Sequence, residues 1–338
     1  MIEILLFFIG ASLLLYVVFG GADYGAGMLE LLPIKKDMRA EQTEVINKAM
    51  GPVWEANHMW LILVIVILFM GFPLVFTTLM TALHIPMVAL LVGIVIRGSV
   101  FTFRHYDALS DEKSQKVYTK LFGISSVWTA LWLGIIVASL NRGAINPTSL
   151  DFHTAYIRPW MGLYPLMNGI FVALIFAFLA AIYLIGETSH VELKKLFARR
   201  AYILNILVVI AGGLVFLTSD LEGNSLLRDF IQHPAAISCL VFATFMFVLL
   251  WFFIEKRKTY HARIVAAGQA TLILAGWYLL YAPNALTTTE GPLSFFSAAA
   301  PPATLLQLVI ALLVGSVFIF PSLFFLIKVF KINKPKHQ

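Results

Sequence analysis

Four ionisable residues stand inside long apolar stretches of this sequence, and their chemistry is that of proton transfer. They are Asp23, Glu55, His58 and Arg97. Glu55 and His58 are three residues apart and are therefore neighbours on one helix. An ionisable side chain in hydrocarbon is costly unless it is paired or hydrated, so such residues are candidates for ion or proton paths. A carboxylate or an imidazole can take up a proton, and a guanidinium can hold a neighbouring acid ionised.

The apolar stretches around these residues are long enough to cross a membrane. Hydrophobic residues make up 60% of the 338 and charged residues only 12%. A helix needs roughly 20 apolar residues to cross a hydrocarbon core. Nine spans are predicted, at residues 2–32, 54–71, 82–103, 121–140, 161–185, 201–219, 235–254, 264–282 and 303–327. The sequence therefore predicts an all-α, polytopic membrane protein.

One boundary between spans depends on a proline. Residues 59–96 are almost unbroken hydrophobic sequence, which is too long for one helix. Because proline has no backbone N–H to donate, the break is predicted at Gly71, Phe72 and Pro73. If this run were a single span, the alternation of basic connections would be lost.

The basic residues between the spans predict an orientation. Lys and Arg collect in cytoplasmic loops. Connections 1, 3, 5 and 7 and the C-terminal tail hold four each, whereas the alternate connections hold only Arg142, Arg158 and Arg228. This pattern predicts an outside N-terminus and a cytoplasmic C-terminus. The net charge of +6 belongs to these loops, so no nucleic-acid partner is predicted.

With this orientation the four ionisable residues reach a similar depth. Three consecutive antiparallel helices bring Asp23, Glu55, His58 and Arg97 to the cytoplasmic third of the membrane. The favoured hypothesis is a proton path along the first three residues, with Arg97 as their charge partner. The alternative is a structural ion pair with side chains that extend to the interface. Glu30, seven residues after Asp23 on the same helical face, is expected near the head groups.

Histidine and cysteine usage predicts no catalytic residue and no metal ligand in this chain. His58 and His84 alone lie in spans, and the topology places them at opposite faces of the membrane, where they cannot share one haem iron. A single-ligand site at His58 is the open alternative. Cys239 is the only cysteine, so a Cys-rich metal site is excluded. The small residues of 20–27 predict close packing of helices.

The order of the spans suggests two groups of four helices followed by a peripheral ninth. The predicted units are a first bundle at 1–140, a second bundle at 141–282, and an outside loop, ninth helix and basic cytoplasmic tail at 283–338. The segment 33–48 is expected to form a helix that lies on the membrane surface.

Four motifs, in order and spacing, resemble those of subunit II of the cytochrome bd quinol oxidases. They are FGGADYGAGM at 19–28, GPVWEANHMWL at 51–61, FP at 72–73 and RGSVFTFR at 97–104. Looser similarities continue through Glu187, Leu286 and Pro321 to Lys331, so the resemblance spans nearly the whole chain.

The resemblance implies a complex in the cell membrane of a bacterium or archaeon. Such a complex oxidises a quinol, either menaquinol or ubiquinol, reduces dioxygen to water and takes protons from the cytoplasm. It implies two b-type haems and one d-type haem in a partner, subunit I, and membrane lipid, quinone and a small single-helix subunit as further partners. Family carboxylates at the positions of Asp23 and Glu55 are associated with a proton route. The sequence departs from some relatives at Glu55 and His58, so His58 is not carried over as a haem ligand.

Two other classes of protein stay open at this point. A secondary transporter of protons or small solutes would explain nine helices and buried charges, although few helices look broken at mid-membrane. A purely structural membrane subunit would keep Arg97 and the carboxylates as contacts between helices.

Overall fold

The computed structural model describes residues 1–51, 54–106 and 112–327 as a helical membrane protein. A π-helical segment, Tyr16–Gly20, joins α1 to α2, and a second π-helical turn, His153–Ile157, precedes α8. The helices are α1 Ile2–Leu15, α2 Gly21–Leu31, α3 Lys36–Met50, α4 Trp54–Gly71, α5 Pro73–Ala82, α6 His84–Tyr106, α7 Glu112–Asn141, α8 Leu163–Ile185, α9 Val191–Leu221, α10 Leu226–Gln232, α11 Pro234–Glu255, α12 Thr259–Tyr281 and α13 Pro302–Ile327.

Nine helical stretches of the described residues are long and apolar enough to cross a membrane, which confirms the predicted number. The first, Ile2–Leu31, runs through α1, the π-helical segment and α2. The predicted basic tail lies outside the described residues, at 328–338. The same is true of two residues of the second motif, Pro52 and Val53.

The predicted break in the long apolar run is confirmed. Helix α4 ends at Gly71, and Pro73 occupies the first turn of α5, where a missing N–H costs nothing. The backbone N–H of Ala300 donates to the carbonyl of Gly71 at 2.8 Å, so one carbonyl left open at the end of α4 has a partner. Helix α5 has only 10 residues and is too short to span a membrane.

Helix α3 follows the first span, as predicted for 33–48. One face of α3 is buried, including Gln42 and Ile46, while most of its charged residues are exposed. The Gln42 amide donates to the Leu29 carbonyl at 2.9 Å. The guanidinium of Arg200 on α9 donates to the carbonyl of Pro33 at 3.0 Å. These side chains satisfy carbonyls at and just beyond the C-terminal end of α2, which would otherwise lack partners.

The core crosses the predicted boundary between the two halves of the chain. Helix α2 packs against both α7 and α8, α8 against α9, and α11 against α12. One continuous apolar cluster contains Tyr24 and Phe122 from the first half and Phe176 and Phe197 from the second. Helix α13 lies against α1 and α4. The division into two bundles, with limits at 140 and 282, therefore stays a prediction.

The segment between α12 and α13 contains a β-hairpin that the all-α prediction did not include. Strand β1, Asn284–Thr288, pairs antiparallel with β2, Gly291–Ser294. Ile145, from the connection between α7 and α8, forms a bridge with Thr288. We call the end of the molecule that carries this hairpin the hairpin end, and the opposite end, which carries α3, the α3 end.

Three of the arginines counted as loop cations make contacts between helices instead. Arg104 on α6 and Arg200 on α9 are buried. Arg263 on α12 forms an ion pair with Glu187 at 3.0 Å and donates to the Tyr183 carbonyl. Helices α6, α9 and α12 extend beyond the predicted spans, so these three arginines make specific contacts between helices at or near the α3 end.

Candidate functional site

The centre of the site is an ion pair between α2 and α6. Nη2 of Arg97 lies 2.7 Å from Oδ1 of Asp23, and the two side chains are 1% and 0% exposed. The same nitrogen donates to the backbone carbonyl of Asp23 at 3.2 Å. Oδ2 of Asp23 is buried and makes no hydrogen bond within the described residues. Arg97, the predicted charge partner of the carboxylates, is therefore paired with Asp23, whose Oδ2 has no hydrogen-bond donor in the described structure.

The rest of the Arg97 side chain is enclosed by polar and aromatic groups. Its Nε donates to the hydroxyl of Ser126 on α7 at 3.2 Å. Its Cζ lies 4.6 Å from the ring centre of Tyr24 and 4.8 Å from that of Phe122. A cation over an aromatic face is attracted by the ring quadrupole. These contacts hold the guanidinium in one position beside Asp23.

Small residues let the helices approach closely enough to build this pair. A Cβ on Gly25 would overlap the backbone carbonyl of Phe176 on α8, and a Cβ on Gly27 would overlap the Ser126 hydroxyl. The predicted role of the small residues at 20–27 in close packing is confirmed. Asp23 is buried because α7 and α8 pack directly against the glycine-rich face of α2.

His58 lies beside this pair but does not contact it through a hydrogen bond in the described structure. Its ring meets the ring of Tyr24 edge to face at 6.0 Å and that of Trp54 at 6.3 Å, centre to centre. The hydroxyls of Tyr24 and Tyr16 are 2.9 Å apart. Tyr16 begins the π-helical segment, and π-helical turns often occur at functional sites. This tyrosine pair was not predicted from the sequence.

Glu55 occupies a different position from the other three predicted residues. It lies in the first turn of α4 and is exposed. Within the part of the chain that the structure describes, no hydrogen bond or ion pair joins Glu55 to Asp23, His58 or Arg97. A proton would need water or a partner molecule to pass from Glu55 to the buried pair.

A second buried ion pair lies nearer the α3 end. Nη1 of Arg104 is 2.7 Å from Oε2 of Glu30, and both side chains are 1% exposed. Nη2 of Arg104 donates to the side chain of Asn47 on α3. From the sequence, Glu30 was predicted near the head groups and Arg104 in a loop. The equal spacing could have indicated the second pair, because Asp23 and Glu30, like Arg97 and Arg104, are seven residues apart.

His58 and His84, the two histidines predicted to lie in spans, are far apart in the structure. The His58 ring is packed against Tyr24 and Trp54 near the α3 end of α4. The His84 ring lies at the hairpin end, where Nδ1 is 2.9 Å from the Thr81 carbonyl and the ring meets Tyr156 edge to face. The two imidazoles belong to opposite ends of the molecule, so they cannot bind one iron between them.

A separate apolar cavity lies among α8, α9, α11 and α12. It has a volume of about 460 Å³. Its walls are mainly aliphatic and aromatic, and Asn168 and Gln269 contribute polar groups. A cavity of this size and character suits a hydrocarbon chain.

The fold and the site define a class of protein, a polytopic membrane protein in which buried acid–arginine pairs join the first and third spans. The chain belongs to the cytochrome bd terminal oxidase subunit II family, because the sequence profile of that family matches residues 1–330. The resemblance found in the four motifs is confirmed by this match.

Two relatives from Bacillus subtilis (strain 168) support the assignment. The chain is 24% identical over 335 residues to a putative cytochrome bd menaquinol oxidase subunit II, covering 95% of this chain and 92% of that protein. It is 26% identical over 155 residues to cytochrome bd ubiquinol oxidase subunit 2, covering 46% of this chain and 44% of that protein. The chain thus aligns with less than half the length of the second relative.

A solved structure has the same fold. The bd oxidase from Geobacillus thermodenitrificans contains a chain that matches with a TM-score of 0.75 and 18% identity, covering 96% of this chain and 98% of that chain. This similarity shows the fold, and the family match over residues 1–330 favours an oxidase subunit over a secondary transporter.

Proposed function

We propose that this chain is subunit II of a respiratory complex that oxidises quinol and reduces dioxygen to water, and that it conducts cytoplasmic protons toward the site of reduction. Family membership over residues 1–330 supports the first part. The second part is supported by the buried pair of Asp23 and Arg97. The pair joins two membrane spans, with an N···O distance of 2.7 Å.

The proposed chemistry of the pair is proton relay through Asp23. Four electrons and four protons convert one dioxygen into two waters, so every turnover needs protons at the reducing site. A buried carboxylate can accept a proton on its free oxygen, and Oδ2 of Asp23 has no hydrogen bond in the described structure. Arg97 compensates the negative charge while the proton is absent. His58 and the surface residue Glu55 are the neighbouring groups through which water would deliver protons.

The haems belong to the partner in this proposal. Two b-type haems and one d-type haem in subunit I would supply electron transfer and oxygen chemistry. The described histidines of this chain suit packing contacts better than ligation of haem iron. The role of this chain is then to help form the complex and to orient its proton-carrying side chains.

Further partners follow from the surface and the cavity. A membrane lipid or quinone would place its hydrocarbon chain in the apolar cavity of about 460 Å³. A small single-helix subunit would pack against exposed apolar faces of the spans. The α3 end would face the cytoplasm, because Lys and Arg predominate in the connections there, which leaves the N-terminus and the hairpin end outside.

Coexpression with subunit I tests this function. The purified pair of chains should consume oxygen when a menaquinol or ubiquinol is supplied, and neither chain alone should do so. Vesicles that contain this chain alone should show no solute uptake. A transporter would give uptake without subunit I, and that result would contradict the proposal.

A further inference from the structure

The two buried ion pairs form a regular ladder between α2 and α6. Asp23 and Glu30 are the acids on α2, and Arg97 and Arg104 are the bases on α6. Each pair has an N···O distance of 2.7 Å. Seven residues of helix rise about 10 Å, so the pairs are two rungs with the same chemistry at two depths. We call Asp23–Arg97 the inner rung and Glu30–Arg104 the outer rung.

An aromatic ring separates the two rungs. Phe122 on α7 is fully buried. Its ring centre is 4.8 Å from Cζ of Arg97 and 4.6 Å from Cζ of Arg104. The ring therefore contacts both guanidiniums and fills the space between them. The two rungs are therefore separate sites, and a proton held on the outer rung needs a further step to reach the inner one.

The outer rung borders a wide cavity at the α3 end, which we call the polar cavity because most of its lining residues are polar or charged. This cavity lies between α3 and α7 and has a volume of about 1380 Å³. Glu30, Gln42, Thr43 and Asn47 are among its lining residues. Oε1 of Glu30 is buried and makes no hydrogen bond of normal geometry, with Thr43 as its neighbour. A buried carboxylate oxygen thus stands at the wall of a space large enough for many waters.

We propose that Glu30 is the first internal proton acceptor of this chain, and that it loads protons from water in the polar cavity before they pass Phe122 to Asp23. The proposal rests on the proton-relay function proposed above and adds an outer station to it. In the loading step one proton leaves a cavity water for Oε1 of Glu30, and the carboxylate becomes a neutral acid. Asn47 then remains as the partner of Arg104. In the next step water carries the proton over about 10 Å from Glu30 to the carboxylate of Asp23, which becomes a neutral acid, and Glu30 is ionised again.

The charges around Glu30 suit a group that both accepts and releases a proton. Nearby cations favour an ionised carboxyl, and burial favours a neutral one. Glu30 is buried and is paired with Arg104, so both influences act on it. Arg104 on α6 pairs with Glu30, and Arg200 on α9 donates to the carbonyl of the adjacent Leu29. The other charged groups that line the polar cavity are Lys116 and Lys120 on α7 and Arg39, Glu44 and Lys48 on α3.

The test compares Glu30→Gln with Glu44→Gln in the complex with subunit I. Gln keeps the shape of Glu30 and its contact with Arg104, but it cannot carry a proton. Glu44 is the matched control, since it lines the same cavity and its pair with Lys48 is exposed. Glu30→Gln should leave the haem spectrum unchanged and slow oxygen reduction about tenfold, while Glu30→Asp should restore part of the rate. The Glu44→Gln complex should respire normally.

The pH profile distinguishes a proton carrier from a structural residue. When proton loading limits turnover, the rate of Glu30→Gln should fall more steeply than the wild-type rate as pH rises from about 6 to about 9. A parallel profile, or an unchanged rate, would overturn the proposal. If Asp23→Asn slows turnover while Glu30→Gln does not, only the outer station fails. If neither variant slows turnover, the proton-relay function fails as well.

A measurement on the wild-type complex covers the case in which the variants do not assemble. A hydrophobic carbodiimide reacts with protonated carboxyl groups, so mass spectrometry should find an adduct on Glu30 that decreases as pH rises. Modification of Glu30 by this reagent before the assay should also slow oxygen consumption. The absence of any Glu30 adduct across the pH range would overturn the proposal.

Discussion

The guanidinium of Arg97 and the carboxylate of Asp23 face each other at 2.7 Å with both side chains buried. Such a pair depends on each partner, because the attraction between the charges offsets the loss of their hydration. Removing one partner leaves the other as an uncompensated charge. The pair therefore has a structural consequence that can be separated from its proton chemistry.

Arg97→Met should destabilise the protein through the charge left on Asp23. Breaking a buried pair in this way costs about 3–5 kcal/mol, so we expect a lower yield of assembled complex and earlier thermal inactivation. Arg199→Met is the matched control, because Arg199 is an exposed arginine on α9. Arg142 is a poorer control, since it pairs with Glu222 at 3.0 Å. Equal yields and inactivation temperatures for the Arg97 and Arg199 variants would contradict this role.

Gly25→Ala should separate α2 from α8. Its Cβ would overlap the backbone carbonyl of Phe176, whereas a Cβ on Gly213 would meet nothing within 4 Å. Overpacking costs about 1–3 kcal/mol, and backbone atoms cannot move aside as a flexible side chain can. The thermal midpoint of the purified complex should fall for Gly25→Ala and stay unchanged or rise for Gly213→Ala. The opposite order would show that α2 is not held by this contact.

How much of this site the sequence could predict depends on where each residue lies along its helix. Asp23 and Arg97 stand well inside apolar sequence, so their types alone indicated a buried pair. Glu30 and Arg104 lie near the ends of spans, where exposed charges are common, and their pairing was missed. Glu55 shows another limit, because a helical position predicts depth but does not say which neighbour the side chain faces.

The connections between helices also differ in how far their structure could be predicted from the sequence. The break after Gly71 was predictable, since Pro73 acts through its own backbone. The β-hairpin was not, because its strands are short and the bridge from Thr288 is to Ile145, which is distant in sequence. Pairing between two separate connections leaves no periodic pattern in either one.

This chain purified without subunit I should bind no haem. The His58 ring is occupied by contacts with Tyr24 and Trp54, and His84 lies at the other end of the molecule. We expect no Soret absorption from the isolated chain and normal haem content in a His58→Ala complex. A stoichiometric haem in the isolated chain that is lost in His58→Ala would refute this assignment.

Cysteine labelling should establish the orientation. Cys239 is the single native cysteine, so Cys239→Ser provides a background without thiols. Leu150 and Lys36 are exposed residues near the hairpin end and on α3 respectively. An impermeant maleimide should label Leu150→Cys in intact cells and Lys36→Cys only after permeabilisation. The reverse pattern would invert the proposed orientation and the direction of proton uptake.

The proton route through this chain is tested most directly by Asp23→Asn in the assembled complex. Asn keeps the shape of the side chain and removes its ability to carry a proton. Glu55→Gln tests the surface end of the route in the same way, and Glu55→Asp should be milder because an ionisable group remains. Asp37→Asn, on the exposed face of α3, is the matched control.

The deciding measurement is the rate of quinol-driven oxygen consumption by purified Asp23→Asn complex whose haem spectrum matches that of the wild type. We expect the rate to fall about tenfold or more, while the Asp37→Asn complex respires normally. If Asp23→Asn and Glu55→Gln both assemble and respire at the wild-type rate, the buried pair is structural, and protons must reach the reducing site wholly through subunit I.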